Sequence, residues 1–172
     1  MIQEKTIFVY FDGEQVTEPT LMGRLMGTRV RGKELFSFEF DNLWLQNCCD
    51  VEANLRELFR RIAFNVAVSN CDDHLRNHGF IYSPKGWTLS PAYDLTPDEY
   101  GTDLKLCINE SDSTLDFSLV HSIAPYLGIS MQEASAIIEK VKSETSHWRE
   151  VATKYGISRS EQELMQRAFC DK

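Results

Sequence analysis

Three polar residues, Asp72, Asn77 and Asp94, carry side chains suited to phosphoryl transfer. That reaction needs a carboxylate that accepts or orients the proton of the acceptor hydroxyl, and magnesium ions that bridge the phosphate oxygens. Asp72 can supply the carboxylate, and Asn77 follows it at the five-residue spacing found between Asp and Asn in a kinase catalytic loop. Asn77 and Asp94 offer the hard oxygen ligands that Mg²⁺ prefers. The pattern therefore indicates a base at Asp72 and a magnesium site at Asn77 and Asp94.

A β-hairpin is predicted between the two candidate magnesium ligands. Two apolar triplets, 80–82 and 87–89, flank the turn 83–86, which has Pro in second place and Gly in fourth. Because a hairpin runs out and returns, its two ends lie side by side. We therefore expect Asp94 to come back beside Asn77, although seventeen residues separate them.

The front of the chain predicts a small antiparallel β meander over 6–41. Residues 7–11 are apolar, 21–30 form a plausible middle strand, and the three phenylalanines of 36–40 share one face at period two. Such a sheet is too small to be stable unless it packs on something else. An uncovered phenylalanine face predicts self-association through this N-terminal sheet.

The rest of the chain predicts mainly helices. Apolar residues recur at helical spacing over 51–69, and Asp50 is the expected N-cap. A helix over 115–127 is expected to be distorted by Pro125. Two capping boxes open the last predicted helices: 130–133 for a helix to about Trp148, and 158–161 for a helix through Phe169.

Length and composition predict a cytoplasmic protein. The chain has 172 residues, of which 42% are hydrophobic, and a formal net charge of −8. This acidic balance argues against direct nucleic-acid binding, because phosphate contacts depend on clustered Lys and Arg. The five cysteines are odd in number and contain no CxxC pair, which favours reduced thiols in a cytosol. We also expect neither an export signal nor a membrane span, since no apolar run is long enough for a span.

The stretch 60–97 is similar to the catalytic core of the HipA family, a group of bacterial serine/threonine kinases that act as toxins of toxin–antitoxin pairs. The segment 21–45 resembles the N-terminal subdomain of that family, and the tail from 147 onward resembles its helical C-terminus. The motifs that carry the resemblance in the core are Phe64-Asn65, Ser69-Asn70, Asp72-Asp73-His74-Leu75-Arg76-Asn77-His78-Gly79-Phe80, Gly86-Trp87 and Leu89-Ser90-Pro91-Ala92-Tyr93-Asp94. Those outside the core are Leu21-Met22-Gly23, Arg31-Gly32-Lys33-Glu34, Phe36-Ser37-Phe38-Glu39-Phe40-Asp41, His147-Trp148-Arg149 and Gly156-Ile157-Ser158-Arg159.

The resemblance implies an α+β fold in which a small N-terminal antiparallel β meander precedes a mainly helical, protein-kinase-like C-lobe with one short β-hairpin. It implies two domains, a β subdomain at 1–46 and a kinase C-terminal lobe at 47–172. Within that lobe the catalytic loop would be 70–78, and the metal-binding Asp would follow the hairpin within 79–94.

The resemblance also implies roles and partners. Asp72 resembles the catalytic base, while Asn77 and Asp94 resemble ligands of the Mg²⁺ that accompanies ATP. A protein hydroxyl would be the phosphoryl acceptor and a HipB-like antitoxin a partner. Asp73 stands where the family varies and is assigned no chemistry, and His74 is expected to brace the loop by hydrogen bonds.

One departure from the family concerns the nucleotide. In the family, the nucleotide-gripping region lies between the front subdomain and the catalytic loop, whereas here Trp44-Leu45 is followed almost at once by the helix that leads into that loop. We therefore expect the phosphate-covering loop, the ATP-contacting Lys and the autophosphorylated Ser to be missing. The chain would then be a kinase module that is inactive or incomplete alone. The alternative is a non-catalytic remnant or binding module that interacts with an antitoxin-like DNA-binding partner.

Three other interpretations compete with this one. The segment 27–34 nearly matches a phosphate-binding P-loop, but it ends in Glu where a hydroxyl belongs and a strand follows, so we expect a surface turn. His74 and His78 could suggest zinc, but their spacing aligns two imidazoles only on a helix. A metal hydrolase using Asp72, His74 and Asp94 is the third.

Overall fold

The chain divides into two compact units. A computed structural model describes residues 5–12, 18–30, 33–46, 50–83 and 86–169. The first unit comprises Met1–Cys49 and Tyr82–Trp87, and the second comprises Asp50–Ile81 and Thr88–Lys172. The predicted domains at 1–46 and 47–172 stay a prediction.

A three-stranded antiparallel sheet with the strand order β1-β2-β3 forms most of the first unit. Its strands are β1 (Lys5–Phe11), β2 (Thr20–Val30) and β3 (Lys33–Phe40). The segment 27–34 joins β2 to β3 in register, with Arg29 opposite Glu34. It therefore connects two antiparallel strands, whereas a P-loop leads from a strand into a helix. Residues 31 and 32 at the turn itself lie outside the described residues.

The two faces of this sheet differ in polarity. Residues directly opposite each other on neighbouring strands share a face. Ile7, Leu25 and Phe38 are opposite each other in register and form an apolar row. The next row contains an ion pair between Arg24 and Glu39, with 3.1 Å between nitrogen and oxygen. The sheet thus has one mainly apolar face and one face that carries charge.

An aromatic cluster occupies the rest of the first unit. The short helix α1 (Asn42–Gln46) carries Trp44, whose ring centroid lies 5.4 Å from that of Trp87. Trp87 also meets Tyr82 edge to face, with 4.9 Å between ring centroids. Tyr82 and Trp87 come from the hairpin, so the tip of the hairpin packs within the first unit.

The second unit begins with the long helix α2 (Val51–Ala67). The side chain of Asp50 accepts a hydrogen bond from the amide of Ala53 at 2.9 Å, which confirms the predicted N-cap. Phe59 and Val66, two residues of the predicted apolar stripe, are fully buried. The burial of its apolar face and the capping of one of its first free amides stabilise the helix.

The predicted hairpin follows a single 3₁₀ turn at Leu75–Asn77. Its strands are β4 (Phe80–Ser83) and β5 (Gly86–Leu89), which form a two-stranded sheet. A further hydrogen bond, from the amide of Ser90 to the carbonyl of Gly79 at 2.8 Å, continues this pairing at the base of the hairpin. Pro84 and Lys85 lie outside the described residues.

The C-terminal half contains four α-helices and two 3₁₀ helices among the described residues. These are α3 (Phe117–Ser122), a 3₁₀ helix at Ala124–Leu127, α4 (Met131–Ser146), α5 (Trp148–Lys154), α6 (Arg159–Met165) and a 3₁₀ helix at Gln166–Phe169. The prediction of one distorted helix over 115–127 was wrong, because α3 ends before Pro125 and a separate 3₁₀ helix begins. Proline cannot donate the backbone hydrogen bond that would continue α3. Gly128, with φ of 67°, then ends this segment.

The two predicted capping boxes differ in the structure. Ser158 and Glu161 form both reciprocal hydrogen bonds, which confirms the second box. Ser130 accepts from the amide of Glu133 at 3.2 Å, but the carboxylate of Glu133 binds Arg56 of α2 at 2.6 Å. The first box is therefore half formed among the described hydrogen bonds, since its glutamate ties α4 to α2 instead.

The core of the second unit lies between α2, α3 and α4. These helices, together with the antiparallel sheets, confirm the predicted α+β class. The core is composed of buried apolar side chains, with smaller contributions from the loop before α3. Its members are Phe59, Ala63, Val66, Ala67, Val68, Leu104, Val120, Ile123, Ala124, Ile129, Ala134, Ile138 and Val141. None of the helices in the described part of the chain has the length and apolarity to span a bilayer.

Candidate functional site

The hairpin brings Asp94 back to Asn77. Asn77 ends the 3₁₀ turn just before β4, and Asp94 follows β5. The Nδ2 atom of Asn77 donates to Oδ2 of Asp94 at 3.3 Å, and the side chain of Asn77 is buried. The two candidate ligands are therefore in direct contact. Their role in metal binding stays a prediction.

The backbone of Asp94 adopts a conformation that is uncommon outside glycine. Its φ of 58° lies in the left-handed region, which Asp and Asn enter more easily than other side-chain-bearing residues. Such residues carry about 1–3 kcal/mol of strain and persist only where the surroundings hold them, often at active sites. Here Nδ2 of Asn70 lies 3.5 Å from the Asp94 carbonyl oxygen. The conformation at Asp94 is consistent with a functional position.

Asp72 is exposed and forms an ion pair with Lys105. The Nζ atom of Lys105 donates to Oδ1 of Asp72. This hydrogen bond and the charge of Lys105 lower the pKa of Asp72 from its usual value, and the charges of His74 and Arg76 lower it further. Asp72 is thus ionised at neutral pH, which is the form that accepts a proton from a hydroxyl.

Asp72 and Asp94 line one small cavity. It has a volume of about 260 Å³ and is mostly acidic, so it suits a cation or a cation-bound ligand. Its lining residues are Asn70, Asp72, Asp94, Thr96, Pro97, Asp98 and Glu99. Asn77 does not line this cavity directly but contacts Asp94 at its edge.

Asn70 is a site residue to which the sequence analysis gave no role. Its side chain is 1% exposed, and its Nδ2 donates to Oδ1 of Asn65 at 3.0 Å. Its own Oδ1 is buried and has no hydrogen-bond partner among the described residues. An unpartnered buried oxygen costs about 1–3 kcal/mol, and the hydrogen bonds of the described residues do not offset that cost here.

The predicted catalytic loop, 70–78, is braced by Asp73, a role that the sequence analysis did not assign. Oδ2 of Asp73 accepts from Nδ2 of Asn65 at 2.8 Å and lies 2.9 Å from Nε2 of His78. Asp73 is 6% exposed, whereas the ring of His74, the expected brace, contacts Arg76 at 3.4 Å near the surface. A polar Asn near the end of the apolar helix α2 is the one sequence signal that could have indicated this network.

Two further hydrogen bonds hold the segments next to the base of the hairpin. The guanidinium of Arg61, which is buried, donates to the carbonyl oxygen of Ser90. The hydroxyl of Tyr93 donates to the carbonyl oxygen of Arg76 at 2.5 Å. These bonds hold the chain at Ser90 and Tyr93, close to Asp94 in the sequence.

Comparison with protein-family models identifies the family of the chain. The model for the HipA-like C-terminal domain matches residues 29–164, which include all of the site residues described above. The chain belongs to this family. The predicted resemblance to HipA proteins is thereby confirmed, and the chain is a kinase-family module. A search of curated proteins finds no match to this chain.

The oxygen atoms at this site of the HipA-like domain fit Mg²⁺. The family implies an ATP- and magnesium-dependent kinase. The carboxylate of Asp94 is a hard donor that lines the cavity and is contacted by Asn77, and Mg²⁺ takes one or two carboxylates with water and phosphate in its other positions. The residues present therefore fit a magnesium ion that arrives with a nucleotide.

The other metal chemistries find no support in this HipA-like domain. Over the described residues, no group of three or more His, Cys, Asp and Glu side chains is arranged to hold a metal ion. The structure therefore does not support the zinc interpretation of His74 and His78 or the hydrolase centre of Asp72, His74 and Asp94. His78 is engaged with Asp73.

A larger cavity of the HipA-like domain lies away from these residues. It has a volume of about 1250 Å³ and a mostly apolar lining that includes Phe64, Trp148 and Phe169. Trp148 and Phe169 stack with 4.4 Å between ring centroids on one wall. Neither the candidate base nor the candidate magnesium ligands line it.

Proposed function

We propose that this HipA-like domain is a protein serine/threonine kinase module of a type II toxin–antitoxin system, and that it is incomplete on its own. Asp72 is its base, and Asn77 and Asp94 are its Mg²⁺ ligands. When bound, Mg²⁺ supplies neutralisation of the phosphate charge of ATP. The contact of Asn77 with Asp94, which shares one acidic cavity with Asp72, is the observation that supports the proposal.

Asp72 is suited to accept a proton from a protein hydroxyl. Its carboxylate is exposed, so an acceptor chain can reach it, and Lys105 keeps it ionised. Asp73 holds the same loop to α2 through Asn65, so the backbone that carries Asp72 is fixed. The chain thus orients a base at the surface on a loop that is anchored in the interior. General-base catalysis requires this combination of access and position.

The connection between α1 and α2 supports the view that the module is incomplete. Helix α1 ends at Gln46 and α2 begins at Val51, so four residues occupy this connection. Protein kinases cover the phosphates with a glycine-rich loop and contact them with a Lys on a strand of the nucleotide lobe. Four residues cannot supply these parts. In the proposed module, a second chain provides them.

The same short connection favours the alternative function. A chain that has lost its nucleotide-gripping segment could persist as a non-catalytic binding module. Its partner would then be an antitoxin-like, DNA-binding protein of the HipB type. The odd number of cysteines favours a cytoplasmic setting for either function.

Calorimetric titration with Mg·ATP separates the two functions. We expect weak, magnesium-dependent binding to the wild type and its loss in Asp94→Asn. Asp116→Asn is the matched control, because it removes the same charge and Asn also caps α3 well. Absence of Mg·ATP binding by the folded wild type would contradict the kinase proposal and favour the binding module.

Phosphate transfer tests the role of Asp72. We expect no transfer from ATP to a generic acceptor such as casein by the chain alone. Transfer that appears when the missing lobe is supplied by a second protein should be abolished in Asp72→Asn with Mg·ATP affinity unchanged. Transfer that survives in Asp72→Asn would show that another group is the base.

A further inference from the structure

Lys105 lies beside the candidate base, although no motif of the sequence pointed to it. It is thirty-three residues from Asp72 along the chain, and its ammonium contacts the Asp72 carboxylate directly. Both side chains are more than half exposed. An exposed lysine–carboxylate pair contributes little stability in general. The position of this pair therefore calls for a reason other than folding.

The fold presents Lys105 on a fixed backbone. Its amide donates to the carbonyl oxygen of Cys71 at 3.2 Å, immediately next to Asp72. The preceding residue, Leu104, is buried in the core, and its amide donates to the carbonyl oxygen of Ser113 at 2.8 Å. The lysine stem thus starts from an anchored point, so its ammonium is restricted to the neighbourhood of the base.

The ion pair leaves donor and acceptor capacity unused. An ammonium group has three N–H donors, and one of them is bound to Oδ1 of Asp72. In the described part of the chain, neither the other N–H groups of Lys105 nor Oδ2 of Asp72 has a partner. Oδ2 can therefore accept the proton of a hydroxyl while the ammonium donates to a neighbouring anion.

The charges around this ion pair indicate that a nucleotide would require a positively charged group beside Asp72. Asp94, Asp98 and Glu99 line the cavity next to Asp72, and this acidic wall repels the phosphates of a nucleotide. Besides Lys105, the groups whose charges act on Asp72 are His74 and Arg76. In phosphoryl transfer, charge spreads over the equatorial oxygens of the moving group and must be balanced.

We propose that Lys105 is a phosphate-binding residue of this site, which contacts the terminal phosphoryl group of a nucleoside triphosphate while it orients Asp72. In the step it serves, the acceptor hydroxyl oxygen forms a bond to the terminal phosphorus. The bond from that phosphorus to the bridging oxygen breaks, and its electron pair leaves with the nucleoside diphosphate. The hydroxyl proton goes to Oδ2 of Asp72. This inference rests on the proposed kinase function and adds to it the residue that binds the terminal phosphate.

Comparison of Mg·ATP with Mg·ADP tests the proposal, because only ATP carries the terminal phosphoryl group. In calorimetric titrations, Lys105→Met should bind Mg·ATP about ten- to hundred-fold more weakly than wild type, the range for losing a hydrogen bond to a charged group. Its affinity for Mg·ADP should equal that of wild type. Lys105→Arg should retain most of the affinity for Mg·ATP. Lys142→Met is the matched control, since it breaks another exposed lysine–carboxylate pair, with Glu139, on α4.

A second measurement needs no nucleotide. An NMR titration of the Asp72 side-chain carboxyl should show a higher pKa in Lys105→Met than in wild type, and no change in Lys142→Met. An unchanged pKa of Asp72 in Lys105→Met would contradict the orienting role of the lysine.

The outcomes distinguish this inference from the kinase proposal. Equal Mg·ATP affinity in wild type and Lys105→Met overturns the inference and leaves the proposal intact. Equal loss of Mg·ATP and Mg·ADP binding in Lys105→Met also overturns it, because a general structural role would then explain the loss. Failure of wild type to bind either nucleotide overturns both.

Discussion

The two units of the chain use their apolar side chains in different ways. In the second unit, Phe59, Val66 and Val120 are fully buried in a continuous core between helices. In the first unit, Ile7 and Phe40 of the sheet remain 55% and 44% exposed. Burial of apolar area contributes roughly 25 cal/mol per Å², so the three buried side chains contribute more stability than these two exposed ones.

The difference bears on where the proposed site lies. Asp72, Asn77 and Asp94 all belong to the second unit, and the loop that carries Asp72 and Asn77 is tied to α2 through Asn65 and Asp73. A catalytic arrangement must be held by residues whose own positions are fixed by packing. The packed helices of the second unit provide that support for the proposed site.

Removing the side chain of Phe59 should give the largest loss of folding stability. It tests most directly whether the two units differ in the burial of their apolar side chains. Phe59 is 0% exposed, and Phe→Ala in a core costs about 3–5 kcal/mol. We expect Phe59→Ala to lower the free energy of unfolding by that amount in urea denaturation. Phe8→Ala, at a β1 side chain that is 57% exposed, is the control and should cost less than about 1 kcal/mol. Comparable losses at the two sites would show that the sheet is buried in solution.

Removing Asp73 should give the next largest effect. The substitution Asp73→Ala leaves the amide of Asn65 and the ring of His78 without their shared acceptor. Hydrogen bonds to a charged group contribute about 1.5–3 kcal/mol, and we expect a loss in that range by chemical denaturation. The neighbour Asp72 is exposed, so Asp72→Ala should leave the unfolding midpoint nearly unchanged. A larger loss from Asp72→Ala than from Asp73→Ala would contradict the assignment of Asp73 as the brace.

The contrast between the neighbours Asp72 and Asp73 shows what sequence reasoning can predict in this chain. Helix α2 and the hairpin were predictable because helical periodicity and turn residues are local signals. The approach of Asp94 to Asn77 follows from the same hairpin, since strand geometry joins its two ends. Asp72 and Asp73 are identical in type, and only burial separates them.

Long-range contacts could not be predicted in this way. Lys105 reaches Asp72 across thirty-three residues, and no spacing rule joins a loop lysine to a distant carboxylate. Likewise, Glu133 was predicted to complete a capping box, but it binds Arg56 on another helix. Such a competition between a local partner and a tertiary partner is decided by packing, which the sequence pattern does not contain.

A helix cap in the packed unit should have a smaller effect that depends on pH. Ser158→Ala removes the N-cap of α6 and should cost about 1 kcal/mol at neutral pH. The side chain and amide of Ser158 also lower the pKa of Glu161. A lowered folded-state pKa contributes stability above the usual glutamate range, and this stability is lost as the pH falls through the folded-state pKa. The difference between wild type and Ser158→Ala should therefore shrink in acid, and a difference that grew there would contradict this linkage.

A charge on the apolar face of the sheet should change folding stability least and association most. Ile7 lies on that face beside Leu25 and Phe38, and a lysine there opposes self-association because a buried charge would have to be desolvated. We expect sedimentation to show the wild-type mass rising with concentration, and Ile7→Lys to remain monomeric with its unfolding free energy within about 0.5 kcal/mol of wild type. Thr6→Lys places the same charge on the opposite face of β1 and should still associate. A wild type that stays monomeric at high concentration would contradict association through this face. If both lysine variants become monomeric, pairing along the edge of β1 is the better explanation, because a charge on either face of an edge strand opposes such pairing.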